Sequence, residues 1–315
     1  MTTNQQHNVT KLSADLAVRP ITDQEFSLFQ KLIHEKAGIY LAPAKRALVD
    51  SRLAKRVREL GLHSFAAYYH HVVEERDGTE LIKLLDRIST NETHFFREPR
   101  QFEFLAQRVF PDWTARVAAG LRSRRIRVWS AGCSTGEEPY SIAMALWEHF
   151  PPSAGWDNEI LATDLSTRAL DCARAAIWPI AKAKEIPPEY LKRFMLKGIG
   201  AQAGNMKAGS EIRSIVRFQR LNLNDDAYPV SGGFDLIFCR NVLIYFDGPA
   251  RLRVINRLLN QLAPGGYFFV GHAESLNDIT DRARYVMPTV YVHTGDQESR
   301  PAAERNEFLR VGARP

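Results

Sequence analysis

The spacing of apolar residues predicts helices in the first part of the chain. Val49, Leu53 and Val57 recur at every fourth position, which places them on one face of an amphipathic helix. Thr22 is followed three residues later by a glutamate, the spacing of a capping box, so another helix is expected to begin there. Four short helices, and therefore a small N-terminal helical domain, are predicted for residues 20–90.

After residue 90 the pattern changes to short apolar runs that alternate with helical segments. This alternation predicts an α/β fold with a doubly wound, mostly parallel sheet over residues 91–295. A stretch rich in Pro, Lys and Gly interrupts it, and we interpret that stretch as a small inserted β-hairpin subdomain at about 185–217. The first predicted strand begins at Ile126, and the second ends at Asp164. The others span 216–223, 234–240, 267–271 and 285–294, the last of which is a strand or a hairpin.

Composition narrows the class of protein. Hydrophobic residues make up 45% and charged residues 25% of the chain, as in globular proteins, and no run of about 18 apolar residues predicts a membrane span. The first residues lack the apolar core of a signal peptide, so we expect a cytoplasmic protein. The three cysteines lack metal-type spacing, which argues against a metal site. Residues 1–19 and 296–315 are predicted to be flexible tails.

Positive charge is concentrated rather than spread along the chain. The net charge is +6, and six cations lie in residues 45–58, where only Asp50 opposes them. Arg52, Lys55 and Arg56 lie beside the apolar stripe of the predicted helix and are expected to face outward. Nucleic acid is an alternative partner, but no aromatic residues are interleaved with these cations to stack on bases. A second basic cluster is formed by Arg122, Arg124, Arg125 and Arg127.

A strand, a glycine turn and a helix follow one another in Ile126–Met144, an arrangement found in ligand sites and in purely structural units. Polar residues also end other predicted strands, and the carboxyl ends of parallel strands meet at one edge of a sheet. Asp164 could accept the two hydroxyls of a ribose or cap the next helix. Asn222 could address an adenine edge or serve as a turn residue. Together with Asn241 they predict a ligand site.

The spacing of the turn discriminates between two cofactor classes. A nicotinamide dinucleotide requires G-x-G-x-x-G and an acid about 20 residues further on. The turn here reads AGCSTG, and Asp164 lies 32 residues after Gly132. S-adenosylmethionine fits better, because it needs a turn near its amino-acid part, a carboxylate for the ribose and a polar group for the adenine.

Several long motifs carry a specific resemblance. In chain order they are NETHFFRE, AGCSTGEEPYSIA, ATDLS, FDLIFCRNVLIYFD and GGYFFVGHAESL. Over residues 20–295 the chain resembles the chemotaxis receptor glutamate methyltransferases of the CheR family. The resemblance implies a four-helix domain joined to a seven-stranded class I methyltransferase sheet. It also implies methyl transfer from S-adenosylmethionine to the γ-carboxylate of glutamates on a chemoreceptor's cytoplasmic helical bundle, with S-adenosylhomocysteine as product.

The resemblance also implies roles for individual residues. Arg97 would hold the carboxylate of either the cofactor or the substrate, and Tyr245 would lie near the transferred methyl; both are expected to be catalytic. Glu137 is the alternative to Glu138 as a cofactor contact. The implied cofactor-binding residues are Asn91, Thr93, Arg97, Glu138, Asp164, Asn222, Leu223, Asn241 and Val242, and the implied receptor-docking residues are Lys45, Arg46, Arg52, Lys55 and Arg56.

Other functions remain open at this point. A glutamate with a pKa of about 4.3 is ionised at neutral pH and needs no general base, so His94 and His272 are interpreted as structural or peripheral. A non-catalytic S-adenosylmethionine-binding signalling module is the main alternative, and a nucleic-acid methyltransferase is a third. The inserted hairpin tethers some family members to a receptor's C-terminal peptide, but this hairpin has no diagnostic motif. A monomer without membrane insertion is expected.

Overall fold

The computed structural model describes residues 18–276 and 279–295. The chain divides into two compact units. The first contains the residues up to Thr90 together with Leu165–Thr167, and the second contains Asn91–Asp164 and the residues from Arg168 onward. The predicted tails lie outside the described residues, except for Val18 and Arg19. None of the described helices is long and apolar enough to cross a membrane.

The first unit contains the four predicted helices, α1 (Asp23–Ala37), α2 (Arg46–Glu59), α3 (Phe65–Glu74) and α4 (Thr79–Ile88). The capping box at Thr22 forms, and Gly38 ends α1 in a left-handed conformation with φ +68°. Val49, Leu53 and Val57 are fully buried, as the apolar stripe of α2 predicts. The helices share a single apolar core.

One helical segment of the second unit precedes its first strand, and the other helices lie between strands along the chain. The first begins at Pro99 as α5 (Pro99–Phe104) and continues through a π-helical turn, Leu105–Val109, into α6 (Phe110–Ala118). Pro111 has no N–H and would crowd the carbonyl of an ordinary preceding turn, which accounts for the wider turn. The others are α7 (Glu137–His149), α8 (Thr167–Ala175), α9 (Pro188–Phe194), α10 (Ser210–Ser214) and α11 (Gly248–Leu259).

A seven-stranded sheet forms the centre of the second unit. Its strands are β1 (Arg125–Ala131), β2 (Asp157–Asp164), β6 (Val216–Arg220), β7 (Phe234–Cys239), β8 (Leu262–Val270), β9 (Ala283–Met287) and β10 (Val290–His293). The order is β6-β2-β1-β7-β8-β10-β9. The first five are parallel, and β10 and β9 form the predicted final hairpin. The fold class predicted from the sequence is confirmed.

Burial on both faces explains why the parallel strands are almost continuously apolar. In β7, Leu236 and Phe238 belong to one core cluster, whereas Ile237 and Cys239 belong to the other. All four side chains are fully buried. A strand of this kind requires apolar residues at successive positions.

The inserted subdomain is larger than the hairpin that the sequence predicted. It is a three-stranded antiparallel sheet made of β3 (Ile177–Pro179), β4 (Met195–Lys197) and β5 (Asn205–Ala208), in the order β3-β5-β4. It begins at Ile177 rather than near residue 185. The prediction missed β3 because three residues with a terminal proline carry too little periodicity to indicate a strand.

Candidate functional site

Four strand ends place polar residues along one edge of the seven-stranded sheet. Strands β6, β2, β1 and β7 are neighbours and run parallel, so their carboxyl ends lie side by side. Asp164 ends β2, Gly132 follows β1, Asn222 follows β6 and Asn241 follows β7. Strand β6 ends at Arg220, so Asn222 lies in a loop and not in the strand predicted to reach residue 223.

The glycine turn after β1 is packed too closely for any side chain. Gly132 has φ +90°, and a Cβ atom there would lie 2.4 Å from Cγ2 of Val242. The turn is also tied to β2, because the Ser134 N–H donates to Oδ2 of Asp164 at 2.8 Å. Glycine therefore allows the backbone of β1, the acid of β2 and the loop after β7 to approach one another.

The residues expected on the adenine side lie in a loop held by local hydrogen bonds. Oδ1 of Asn222 accepts from the N–H of Asn224 at 3.1 Å, the turn role that the sequence left open for this residue. Leu223 is buried, and its carbonyl accepts from the Tyr228 hydroxyl at 2.8 Å. The loop therefore has a defined backbone conformation.

The segment Asn91–Glu98 is fixed to the glycine turn and to the inserted subdomain. The carbonyl of Asn91 accepts from the Ser134 hydroxyl at 2.9 Å, and the carbonyl of Thr93 accepts from Lys182 Nζ at 2.9 Å. Backbone strain is concentrated in this region. Among the non-glycine residues described, six have positive φ, and four of them lie at the site: Phe96, Glu98, Ser134 and Asn241.

Arg97 presents a guanidinium that forms no hydrogen bond or ion pair with any described residue. Its side chain is half-buried, and no residue in 18–276 or 279–295 forms a hydrogen bond or ion pair with its guanidinium. Neither of the nearby acids Glu98 and Glu103 forms an ion pair with Arg97 in this part of the chain. Glu98 is instead buried and accepts from the His272 N–H at 3.0 Å. A half-buried guanidinium of this kind suits a carboxylate ligand.

The two adjacent acids of the turn have different environments. Glu137 is 1% exposed and is bound by Lys182 at 2.7 Å and by the Thr135 hydroxyl at 2.6 Å, so its carboxylate has a structural role. Glu138 accepts from the Ser130 hydroxyl at 2.7 Å and lies 3.4 Å from Nε of Arg240. Burial raises the pKa of Glu138, and the positive charge of Arg240 opposes that rise.

The loop after β7 is anchored by an acid that sequence reasoning missed. The buried carboxylate of Glu274 accepts from the backbone N–H groups of Asn241, Ile244 and Gly271 at 2.7–3.1 Å. Its only signal was its position in the GHAESL motif. Tyr245 follows in a short 3₁₀ turn; it is half-buried, and its hydroxyl has no hydrogen-bond partner within the described residues.

In the first unit, the prediction that the α2 cations face outward is wrong for two of them. Arg56 forms a two-point ion pair with Glu80, through Nε at 2.7 Å and Nη2 at 2.6 Å, and its side chain is only 15% exposed. Arg52 is half-buried and donates to the Ser89 carbonyl and the Thr90 hydroxyl. The exposed cations of the predicted docking set are Lys45, Arg46 and Lys55.

The second basic cluster lies at the opposite end of β1 from the site. There Arg122 pairs with Asp235 at 2.8 Å, and Arg127 lies 3.3 Å from Glu159. Both guanidiniums also cover aromatic rings, of Trp113 and Phe234 respectively. Their role is structural.

The sheet and its polar edge define a class of α/β domain that binds a nucleoside-containing cofactor beyond the carboxyl ends of its strands. Residues 91–292 match the CheR methyltransferase SAM binding domain, and residues 24–89 match the CheR methyltransferase all-alpha domain. The chain therefore belongs to the CheR methyltransferase family, and its cofactor is S-adenosylmethionine. The resemblance carried by the sequence motifs is confirmed.

Relatives of the same family cover most of the chain. Chemotaxis protein methyltransferase 2 of Pseudomonas aeruginosa is 40% identical over 273 residues, which are 86% of this chain and 93% of that protein. The chemotaxis protein methyltransferase of Borreliella burgdorferi is 38% identical, covering 86% and 94% of the two chains. That of Escherichia coli is 37% identical, covering 88% and 93%.

The side chains at the sheet edge fit this cofactor. Asp164 supplies a half-buried carboxylate for a diol, and Glu138 supplies one for an ammonium group. Arg97 supplies a guanidinium that no described residue engages. S-adenosylmethionine carries a ribose diol, an α-ammonium and an α-carboxylate, so each of these groups has a partner of complementary chemistry.

Proposed function

We propose that the protein is a chemotaxis protein methyltransferase that esterifies the γ-carboxylate of glutamates on the cytoplasmic helical bundle of a chemoreceptor. The guanidinium of Arg97 lies beside the polar strand ends and has no hydrogen-bond or ion-pair partner among the described residues, and this observation carries the proposal. The chemotaxis protein methyltransferases to which the chain is similar support it. The same proposal places the enzyme in the cytoplasm, because the substrate helices of such a receptor are there. It also takes the enzyme to be a monomer.

In this proposal the cofactor is held by residues from five segments. Asp164 accepts from the ribose hydroxyls, Glu138 faces the α-ammonium, and the loop at Asn222 and Leu223 borders the adenine. When bound, S-adenosylmethionine supplies a methyl group on a positively charged sulfur. The remaining contacts come from Asn91, Thr93, Arg97, Asn241 and Val242.

The reaction requires no proton to be removed from the substrate. A glutamate side chain with a pKa of about 4.3 is ionised at neutral pH and is already a nucleophile. The protein must instead orient the carboxylate and remove water from it. Arg97 can orient a carboxylate by two-point hydrogen bonding, either that of the cofactor or that of the substrate, and the Tyr245 hydroxyl can donate to the substrate oxygens. Both side chains are half-buried, which keeps them accessible to a ligand.

Receptor docking is assigned to three exposed cations, two in α2 and one immediately before it. Lys45, Arg46 and Lys55 can attract acidic receptor helices and raise the rate of association. Arg52 and Arg56, which belong to the same predicted set, contribute indirectly by holding the helix in its domain.

The proposal is tested by incubating the full chain with methyl-labelled S-adenosylmethionine and a panel of receptor cytoplasmic fragments. We expect base-labile label on receptor glutamates, which is lost when those glutamates are changed to glutamine. Arg97→Ala should abolish labelling, whereas Arg100→Ala, an exposed arginine three residues away, should not. Cofactor binding without labelling of any receptor would indicate a signalling module, and base-stable label on RNA would indicate a nucleic-acid methyltransferase; either result contradicts the proposal.

A further inference from the structure

A buried arginine joins the segment that carries Arg97 to the acid at the start of α7. Arg240 follows β7, and its side chain is 2% exposed. Its Nη2 donates to the carbonyl of Arg97 at 2.6 Å. Its Nε lies 3.4 Å from Glu138 and 3.8 Å from Glu98. A single guanidinium thus contacts the backbone of one proposed ligand-binding residue and the carboxylate of another.

The neighbours of Arg240 fix it from the opposite side. Glu98 has φ +59°, and its carboxylate accepts from the His272 N–H at 3.0 Å and from Gln101 Nε2 at 2.9 Å. Gln101 is 1% exposed and also donates to the Thr289 hydroxyl at 2.7 Å. The strained backbone at Glu98 is therefore held in place through its carboxylate, which is hydrogen-bonded to His272 and Gln101 and lies near Arg240.

We infer that Arg240 is a positioning residue for methyl transfer, which fixes the backbone of Arg97 and balances the charge of Glu98 and Glu138. The inference rests on the proposed function, because it takes Arg97 and Glu138 as ligand-binding residues. Without Arg240, the carboxylates of Glu98 and Glu138, whose side chains are 4% and 12% exposed, would lose the buried cation that lies close to both. Glu138 would then become harder to ionise, and the Arg97 carbonyl would lose its donor.

Two variants separate the positioning role from the charge role. Arg240→Met removes both, so we expect kcat on receptor fragments to fall about 100-fold, the effect of misplacing a reacting group by about 1 Å. The Kd for S-adenosylhomocysteine, measured by calorimetry, should rise about tenfold or more as Glu138 loses its charge partner. Arg240→Lys restores the charge without the forked geometry, so Kd should recover to within about threefold while kcat stays at least about tenfold low.

The matched control is Arg122→Met. Arg122 is also mostly buried and ion-paired, with Asp235, but it lies at the opposite end of the sheet. It should lower thermal stability without changing kcat or Kd. Wild-type kcat and Kd in folded Arg240→Met would overturn the inference. If Arg240→Met does not fold, Arg240→Lys serves as the test. A wild-type kcat in Arg240→Lys would also overturn the inference. Should the unmodified chain bind S-adenosylhomocysteine yet methylate no receptor, the proposed function fails, while Kd still tests Arg240.

Discussion

Replacing Arg56 by Met removes the guanidinium that neutralises a buried carboxylate in the helical unit. Glu80 is 1% exposed and receives two hydrogen bonds from Arg56, at 2.7 and 2.6 Å. Burial opposes the ionisation of Glu80, but Arg56 outweighs it and lowers the pKa of Glu80. After the substitution only the Tyr68 hydroxyl at 3.1 Å and Lys83 at 3.4 Å would remain on that carboxylate.

The expected loss follows from this geometry. Removing one partner of a buried ion pair lowers the free energy of unfolding by about 3–5 kcal/mol. Because Tyr68 and Lys83 stay in place, we expect the lower end, about 3 kcal/mol, a large share of the roughly 5–15 kcal/mol that stabilises a typical domain. The double variant Arg56→Met with Glu80→Leu should recover most of the loss, since it leaves no unpaired charge.

The two units can be followed separately during urea unfolding. All five tryptophans lie between residues 113 and 178, in the second unit, so their fluorescence reports that unit alone. Far-ultraviolet circular dichroism reports the helices of both. Arg56→Met should shift an early dichroism transition to lower urea while the fluorescence transition stays unchanged.

Lys55→Met is the matched control, because Lys55 is the exposed neighbour of Arg56 on the same helix. It should change the free energy of unfolding by less than about 0.5 kcal/mol and reduce receptor methylation at low salt. The reasoning is refuted if Arg56→Met unfolds at the wild-type urea concentration and loses receptor methylation as Lys55→Met does. Arg56 would then be a recognition residue.

Three further outcomes are expected. Asp164→Asn should raise the calorimetric Kd for S-adenosylhomocysteine about 10–100-fold at unchanged melting temperature, because a hydrogen bond to a charged group contributes about 1.5–3 kcal/mol. An unchanged Kd would contradict the assignment of Asp164 to the ribose. Gly132→Ala should weaken the same binding by forcing Val242 aside, whereas Gly155→Ala, equally left-handed at φ +80°, should lower stability only. Burial opposes ionisation of Glu25, yet hydrogen bonds from its neighbours outweigh it and lower its pKa to about 2. Its contribution of about 3 kcal/mol is therefore complete above pH 4.5 and lost as the pH falls towards 2. Glu25→Gln should flatten this acid limb in circular dichroism.

The edge location of the site could be predicted from the sequence because it depends only on topology. Parallel strands end at one edge, so a polar residue after each strand must come near the others. This rule alone, without any measured distance, predicts that Asp164 and Asn241 lie at the same edge of the sheet. The helical unit was equally predictable, since the stripe of Val49, Leu53 and Val57 requires one buried face.

Which of two adjacent acids is held in a structural ion pair depended on the tertiary structure. Glu137 and Glu138 have the same chemistry and differ by one position, and only their partners, Lys182 and Arg240, distinguish them. The sequence predicts that Arg56 is a surface cation, but in the structure it forms an ion pair with Glu80, which is 24 residues away. The local periodicity of the sequence shows on which face of a helix or strand a residue lies. The direction that its side chain takes from there depends on the partners that folding brings close to it. For long charged side chains those partners decide between structure and function.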